Sequence, residues 1–136
     1  MPRPTRIEYE DAFYHVMNRG RARNNIFFKE THYLTFLKVL EETCERFDCT
    51  IHSYCLMPNH YHILVQTLHP NLSRAMKHIN GIYTQRFNKL QKIDGPLFRG
   101  SKGVRSLLLG INPEAKNIHK PVLISIKRVF SSFYCI

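Results

Sequence analysis

The chain has 136 residues, 43% hydrophobic and 22% charged, which suits one globular domain with a core of its own. It carries 20 Lys and Arg against 10 Asp and Glu, a formal charge of +10, and that excess points to a polyanionic partner, nucleic acid ahead of a membrane surface. No apolar run approaches the ~20 residues needed to cross a bilayer, and residues 1–6 lack the apolar core of a secretory signal, so the expected compartment is the cytoplasm, without a membrane partner.

Residues 11–18 read as a first strand, with Phe13, His15 and Met17 on one face and Tyr14 and Val16 on the other. A turn follows that holds Arg19, Arg21 and Arg23; it is either a solvated loop or a phosphate-contacting one, and the overall charge favours the second. Residues 30–47 repeat apolar side chains at three- and four-residue steps: Tyr33, Phe36, Leu37, Leu40, Cys44 and Phe47. That is one face of an amphipathic helix with a packing role.

Residues 50–56 and 59–67 read as a second and third strand, joined at Met57-Pro58 because proline lacks a ladder donor. On the third strand His60, His62, Leu64 and Gln66 share a face, and Tyr61, Ile63, Val65 and Thr67 share the other. The two histidine Cα atoms would lie roughly 6.6 Å apart, close enough for both imidazoles to reach one divalent cation. The alternative is two half-exposed strand histidines without a ligand. Asn71 or Ser73 caps a second helix that runs to about Leu90 along a stripe of Leu72, Met76, Ile79, Tyr83, Phe87 and Leu90. Arg74, Lys77 and Arg86 make the rest of it basic, and Gly81 at its centre suggests close packing or backbone approach. A turn at 92–96 leads into a strand-like stretch, 97–109, with Arg99, Lys102 and Arg105.

Strand, helix, strand, strand, helix, strand is the ferredoxin-like order. The expected fold is therefore α+β: a ferredoxin-like (RRM-like) antiparallel sheet with two helices packed on one face and the other face open for a ligand. Residues 1–136 are read as a single domain. The cysteines, Cys44, Cys49, Cys55 and Cys135, show no Cys-x-x-Cys spacing and are read as reduced packing thiols, with a zinc site at Cys49, His52 and Cys55 as a minor alternative.

Several stretches, in order, carry a family resemblance. Met57-Pro58-Asn59-His60-Tyr61-His62-Ile63-Leu64-Val65 resembles the signature of the single-tyrosine HUH transposases, in particular their REP-associated branch, with Tyr61 as the bulky residue between the histidines. Tyr14-His15-Val16-Met17-Asn18-Arg19-Gly20, the run from Asn80 to Asn88, and Gly95-Pro96-Leu97-Phe98-Arg99-Gly100 are similar to other parts of the same family. The resemblance is good over 9–100 and weak over 101–136. It implies the same ferredoxin-like fold, Mg²⁺ or Mn²⁺ held by His60 and His62, and single-stranded or hairpin DNA as partner. It also implies DNA nicking and rejoining through a 5′-phosphotyrosine. Basic candidates for the DNA contact are Arg19, Arg21, Arg23, Arg74, Lys77, Arg86 and Arg99.

The family's nucleophile lies in the last third of the chain, in a motif like Tyr-Ile-His-Leu-Asn-Pro-Val. Here the matching stretch is Asn117-Ile118-His119-Lys120-Pro121-Val122, with Asn117 in the place of the tyrosine and one residue missing before the proline. An amide is not a phosphoryl acceptor, so the resemblance implies an impaired transposase. Tyr83 and Tyr134 are the substitute nucleophiles, and His119 either meets the metal or phosphate or faces solvent. Two rival readings stand beside it: a non-catalytic module that binds DNA or RNA hairpins, and a degenerate remnant of a mobile element. Monomer and homodimer are both open.

Overall fold

A computed structural model describes residues 7–99 and 104–111, and the backbone of 134–135. In chain order the elements are β1 (Ala12–Arg19), a short 3₁₀ turn (Arg21–Arg23), α1 (Glu30–Phe47), β2 (Cys49–Met57), β3 (His60–Thr67), α2 (Leu72–Gln91), β4 (Arg105–Ile111) and β5 (Tyr134–Cys135). The sheet runs β4-β1-β3-β2-β5, and the neighbours are antiparallel. Its first four strands have the ferredoxin-like order, and the two-residue β5 extends the β2 edge. The α+β class read from the sequence is the class observed.

Strand alternation decides which face is buried. On β1, Ala12, Tyr14, Val16 and Asn18 are buried; on β3, Tyr61, Ile63, Val65 and Thr67 are. These side chains meet α1 through Phe36, Leu37 and Leu40, and α2 through Met76, Ile79, Tyr83 and Phe87, in one apolar cluster. The intervening residues Phe13, His15, Met17, His60, His62, Leu64 and Gln66 are half-buried on the opposite face, which no helix covers among the described residues. No described helix is long and apolar enough to cross a membrane.

Several local expectations need correction. Asn71 takes the cap position of α2, but its side chain makes no cap bond; its Nδ2 donates to the Phe47 carbonyl at the end of α1. The N-terminus of α2 is instead met by Glu8, whose Oε1 accepts from the Ser73 N–H at 2.7 Å, a carboxylate placed where the helix dipole favours it. Leu90, at the end of the apolar stripe, is 45% exposed. Gly81 has open space where a Cβ would stand, so close packing does not explain it. The strand expected from residue 97 starts only at Arg105, because Leu97 and Phe98 turn into the core and Phe98 bridges to Gly20. The zinc alternative fails on strand geometry. Cys49 is buried on the helix side with its Sγ 3.5 Å from Cys44 Sγ, whereas Cys55 pairs with His62 across the strands and is disulfide-bonded. Cys44 and Cys49 are free, as read; Cys55 is not.

The β2–β3 turn holds the β1–α1 loop against the sheet. The Pro58 carbonyl accepts from the N–H groups of Ile26 at 2.7 Å and Phe27 at 3.1 Å, and the Asn59 carbonyl accepts from Gly20 at 2.9 Å. Gly20 lies so close to the loop that an added Cβ would sit 2.1 Å from the Asn24 carbonyl oxygen. Replacing Gly20 by Ala should therefore destabilise the protein by about 1–3 kcal/mol, the usual cost of forcing atoms into a filled space. Urea unfolding measures this, and a change below about 0.5 kcal/mol would show that the loop yields freely.

Candidate metal centre and nucleic-acid face

His60 and His62 stand on the helix-free face of β3, as their spacing requires, with ring centroids 5.2 Å apart and planes at 80°. His60 Nδ1 is 2.6 Å from Asn59 Oδ1. An amide oxygen only accepts, so the imidazole donates from Nδ1 and its Nε2 keeps a lone pair. His62 Nδ1 is 3.0 Å from His15 Nε2 on the neighbouring strand. Both histidines titrate below the ordinary histidine value. For His60 the causes are burial and then the Arg19 charge; for His62 they are burial and then His60 and His15. All of these favour the neutral imidazole, the form that binds a metal. Among the described residues no group of three or more His, Cys, Asp or Glu gathers as a metal cluster. The two histidines thus offer two imidazole nitrogens on one face of β3.

The arginines of the first turn lie next to this pair. Arg19 is the cross-strand partner of His60. Beyond it, Arg19, Arg21, Arg23, Arg99 and Arg105 line a cleft of about 880 Å³ beside Phe98. The Arg21 N–H bonds to the Leu97 carbonyl at 2.9 Å, which brings Arg99 across from the turn. Ala22 and Arg23 both have left-handed backbone, φ 54° and 61°. That conformation costs roughly 1–2 kcal/mol per residue outside glycine, so the turn is held in a shape its sequence does not prefer. Among the described residues, none of the five guanidinium groups forms an ion pair with a carboxylate.

The other candidates lie elsewhere. Arg74, Lys77 and Arg86 belong to the helical layer, away from the cleft. Arg74 packs over the Phe47 ring, and Arg86 Nη2 is 2.8 Å from Glu42 Oε2. Tyr83 is fully buried on the helix side of the sheet, ringed by Phe27, Phe36 and Phe98, and its hydroxyl donates to the Ile26 carbonyl at 2.5 Å. Tyr83, a substitute nucleophile in the sequence reading, thus lies on the helix side of the sheet, while His60 and His62 lie on the opposite face. Tyr134 is placed by its backbone, opposite Leu56 at the β2 edge. Asn117 and His119 lie outside the described residues. Two contributors were not selected from the sequence. The sequence marks Arg105 only as a basic strand residue and His15 only as a face residue; the register between strands brings His15 beside His62 and Arg105 to the cleft.

Residues 8–100 match the family model described as IS200-like transposase. The chain belongs to that family. The matched span ends at the same residue as the motifs that carry the HUH resemblance. No curated relative matches the chain. Among solved structures, a REP-associated tyrosine transposase bound to a REP hairpin is similar in fold, with a TM-score of 0.63 at 11% identity. That likeness covers 82% of this chain and 64% of the other, so the chain spans under two thirds of that transposase's length. A chain from Deinococcus radiodurans R1 assigned as a transposase is also similar, with a TM-score of 0.55 at 14% identity, covering 83% of this chain and 86% of that one.

The placement of Tyr83 has a measurable consequence. Tyr83→Phe leaves the Ile26 carbonyl without its partner in a buried place, a loss of about 1–3 kcal/mol. Urea unfolding should show that loss, with DNA binding per folded molecule unchanged. Unaltered stability together with loss of DNA binding would place the hydroxyl in the site.

Proposed function

We propose that this chain is a transposase-type domain that binds single-stranded or hairpin DNA on the open face of its sheet. His60 and His62 hold Mg²⁺ or Mn²⁺, and Arg19, Arg21, Arg23 and Arg99, with Arg105, hold the phosphate backbone. The observation that carries the reading is the pairing of Arg19 with His60, which joins a cleft of five arginines to two imidazoles. Arginine suits this place because its planar fork meets phosphate oxygens in pairs. The residues fit a hard divalent cation of the catalytic kind, with two imidazoles from the protein and the remaining positions left to phosphate and water oxygens. When bound, the cation would draw charge from the scissile phosphate and its leaving oxygen.

The chain's own residues supply binding and orientation; the covalent step is where this family member falls short. Asn117 takes the place of the tyrosine and has no hydroxyl to form the phosphodiester link to DNA. We therefore read the domain as a DNA-binding protein with impaired strand transfer, monomeric or homodimeric. The second reading, a hairpin-binding module without chemistry, is favoured by the burial of Tyr83 away from the histidines.

Three measurements test the proposal. Calorimetry should show Mn²⁺ binding that is lost in His60→Ala/His62→Ala; equal binding by the double variant would remove the histidine site. Affinity for a DNA hairpin with a single-stranded flank should fall with salt, each phosphate held adding about −0.7 to the log–log slope for single strands. Arg19→Ala and Arg99→Ala should each flatten that slope by about that amount, whereas Arg74→Ala should leave it unchanged. A denaturing gel with Mg²⁺ or Mn²⁺ should show no protein–DNA adduct for the natural chain and an adduct for Asn117→Tyr. An adduct in the natural chain that disappears in Tyr134→Phe would assign the nucleophile to Tyr134.

A further inference from the structure

His15 belongs to β1, and its cross-strand partner is Leu64; His62 pairs with Met17. His15 and His62 are therefore diagonal neighbours on the helix-free face, within reach of each other's ring edges. Their geometry is specific. The ring planes differ by 15°, the centroids are 5.2 Å apart, and Nε2 of His15 is 3.0 Å from Nδ1 of His62. Nearly parallel rings at that centroid distance, with a nitrogen pair so close, lie edge to edge and not face over face. One proton is shared along that edge.

We propose that His15 is a positioning residue that fixes the tautomer of His62. His62 donates its Nδ1–H to His15 Nε2 and keeps its own Nε2 unprotonated, aimed away from His15. The inference rests on the reading of His60 and His62 as the metal-binding pair, and it explains how the second of them is prepared. Two neutral imidazoles carry one N–H each. If His15 donated instead, the proton of His62 would sit on Nε2 and block the lone pair that a cation needs. The opposite assignment puts the His15 proton on its own Nδ1 and leaves His62 ready. Asn59 does the same for His60, since its Oδ1 accepts from Nδ1 at 2.6 Å. The two imidazoles are thus set alike by different partners: an amide from the turn and an imidazole from the next strand. His15 is not itself a third ligand through Nε2, because that atom faces the Nδ1 edge of His62. Ligand-orienting contacts of this kind change metal affinity by about 10- to 100-fold.

The test combines histidine side-chain ¹⁵N NMR on the metal-free chain with Mn²⁺ titration. In the natural chain His62 should be protonated at Nδ1, and so should His15. His15→Leu removes the acceptor; His62 should then populate the Nε2–H tautomer, and Mn²⁺ affinity should fall about 10- to 100-fold. His15→Gln offers an amide oxygen in place of the imidazole nitrogen and should restore both the tautomer and most of the affinity. His62 protonated at Nε2 in the natural chain would overturn the inference, as would a His15→Leu variant with unchanged tautomer and affinity. If His15→Leu does not fold, the natural tautomer and the His15→Gln comparison decide. A natural chain with His62 in the Nδ1–H form that binds no Mn²⁺ supports the His15 contact while removing the metal reading, so the two failures are distinct.

Discussion

The arrangement of the site depends on two backbone carbonyls. At the tip of the β2–β3 hairpin, Pro58 and Asn59 accept three N–H bonds from Gly20, Ile26 and Phe27. Each such bond contributes about 1 kcal/mol net, but leaving the buried donors without partners would cost more. The loop between β1 and α1 is therefore tied to the start of the strand that carries His60. The backbone that carries Arg19, Arg21 and Arg23 is held beside that strand by those bonds. The left-handed backbone at Ala22 and Arg23 is tolerated because both ends of the turn are fixed in this way. Proline at position 58 suits its part, since it supplies a carbonyl and needs no ladder partner for the nitrogen it lacks.

The two faces of the sheet divide the chemistry. The helix side holds the aromatic packing, and its tyrosines use their hydroxyls to pin elements together. Tyr61 donates to Asn80 Oδ1 at 2.6 Å, joining β3 to α2, and burial raises its pKa above the usual tyrosine range. Tyr83 joins α2 to the loop before α1 in the same manner, and burial raises it likewise. The open side holds imidazoles and guanidinium groups. In the proposed function, the open face keeps its ability to grip DNA and a cation even though Asn117 replaces the acceptor, because the histidines and the cleft arginines come from residues 15–105 and owe nothing to that position.

Much of this division was legible in the residue order. Period-two alternation on 59–67 placed His60 and His62 on one face and Tyr61 on the other. The apolar steps of the second helix mark Tyr83 as a core residue, and it is buried. What the order could not carry was register. His15 reaches His62 because β1 pairs with β3 at His15–Leu64, and a one-residue slip would turn one of the two rings to the other face of the sheet. Arg105 reaches the cleft through the same kind of pairing, at Met17 on β1. Charge alone does not distinguish Arg74, Lys77 and Arg86, which stand on α2, from the turn arginines. Their helical positions bind them to Phe47 and Glu42 or to solvent, and a sequence of positive residues does not say which layer each will join.

In the proposed function, nucleic acid meets the face of the sheet opposite α1 and α2, at the histidine pair and its arginine cleft. Amide chemical-shift mapping of the ¹⁵N-labelled chain, titrated with a DNA hairpin bearing a single-stranded flank, addresses it directly. The account predicts that the shifts concentrate on residues 15–23, 59–64, 98–99 and 105, with the α2 residues Arg74, Lys77 and Arg86 little changed. Shifts concentrated on α1 and α2, with the strand carrying His60 and His62 unmoved, would contradict it.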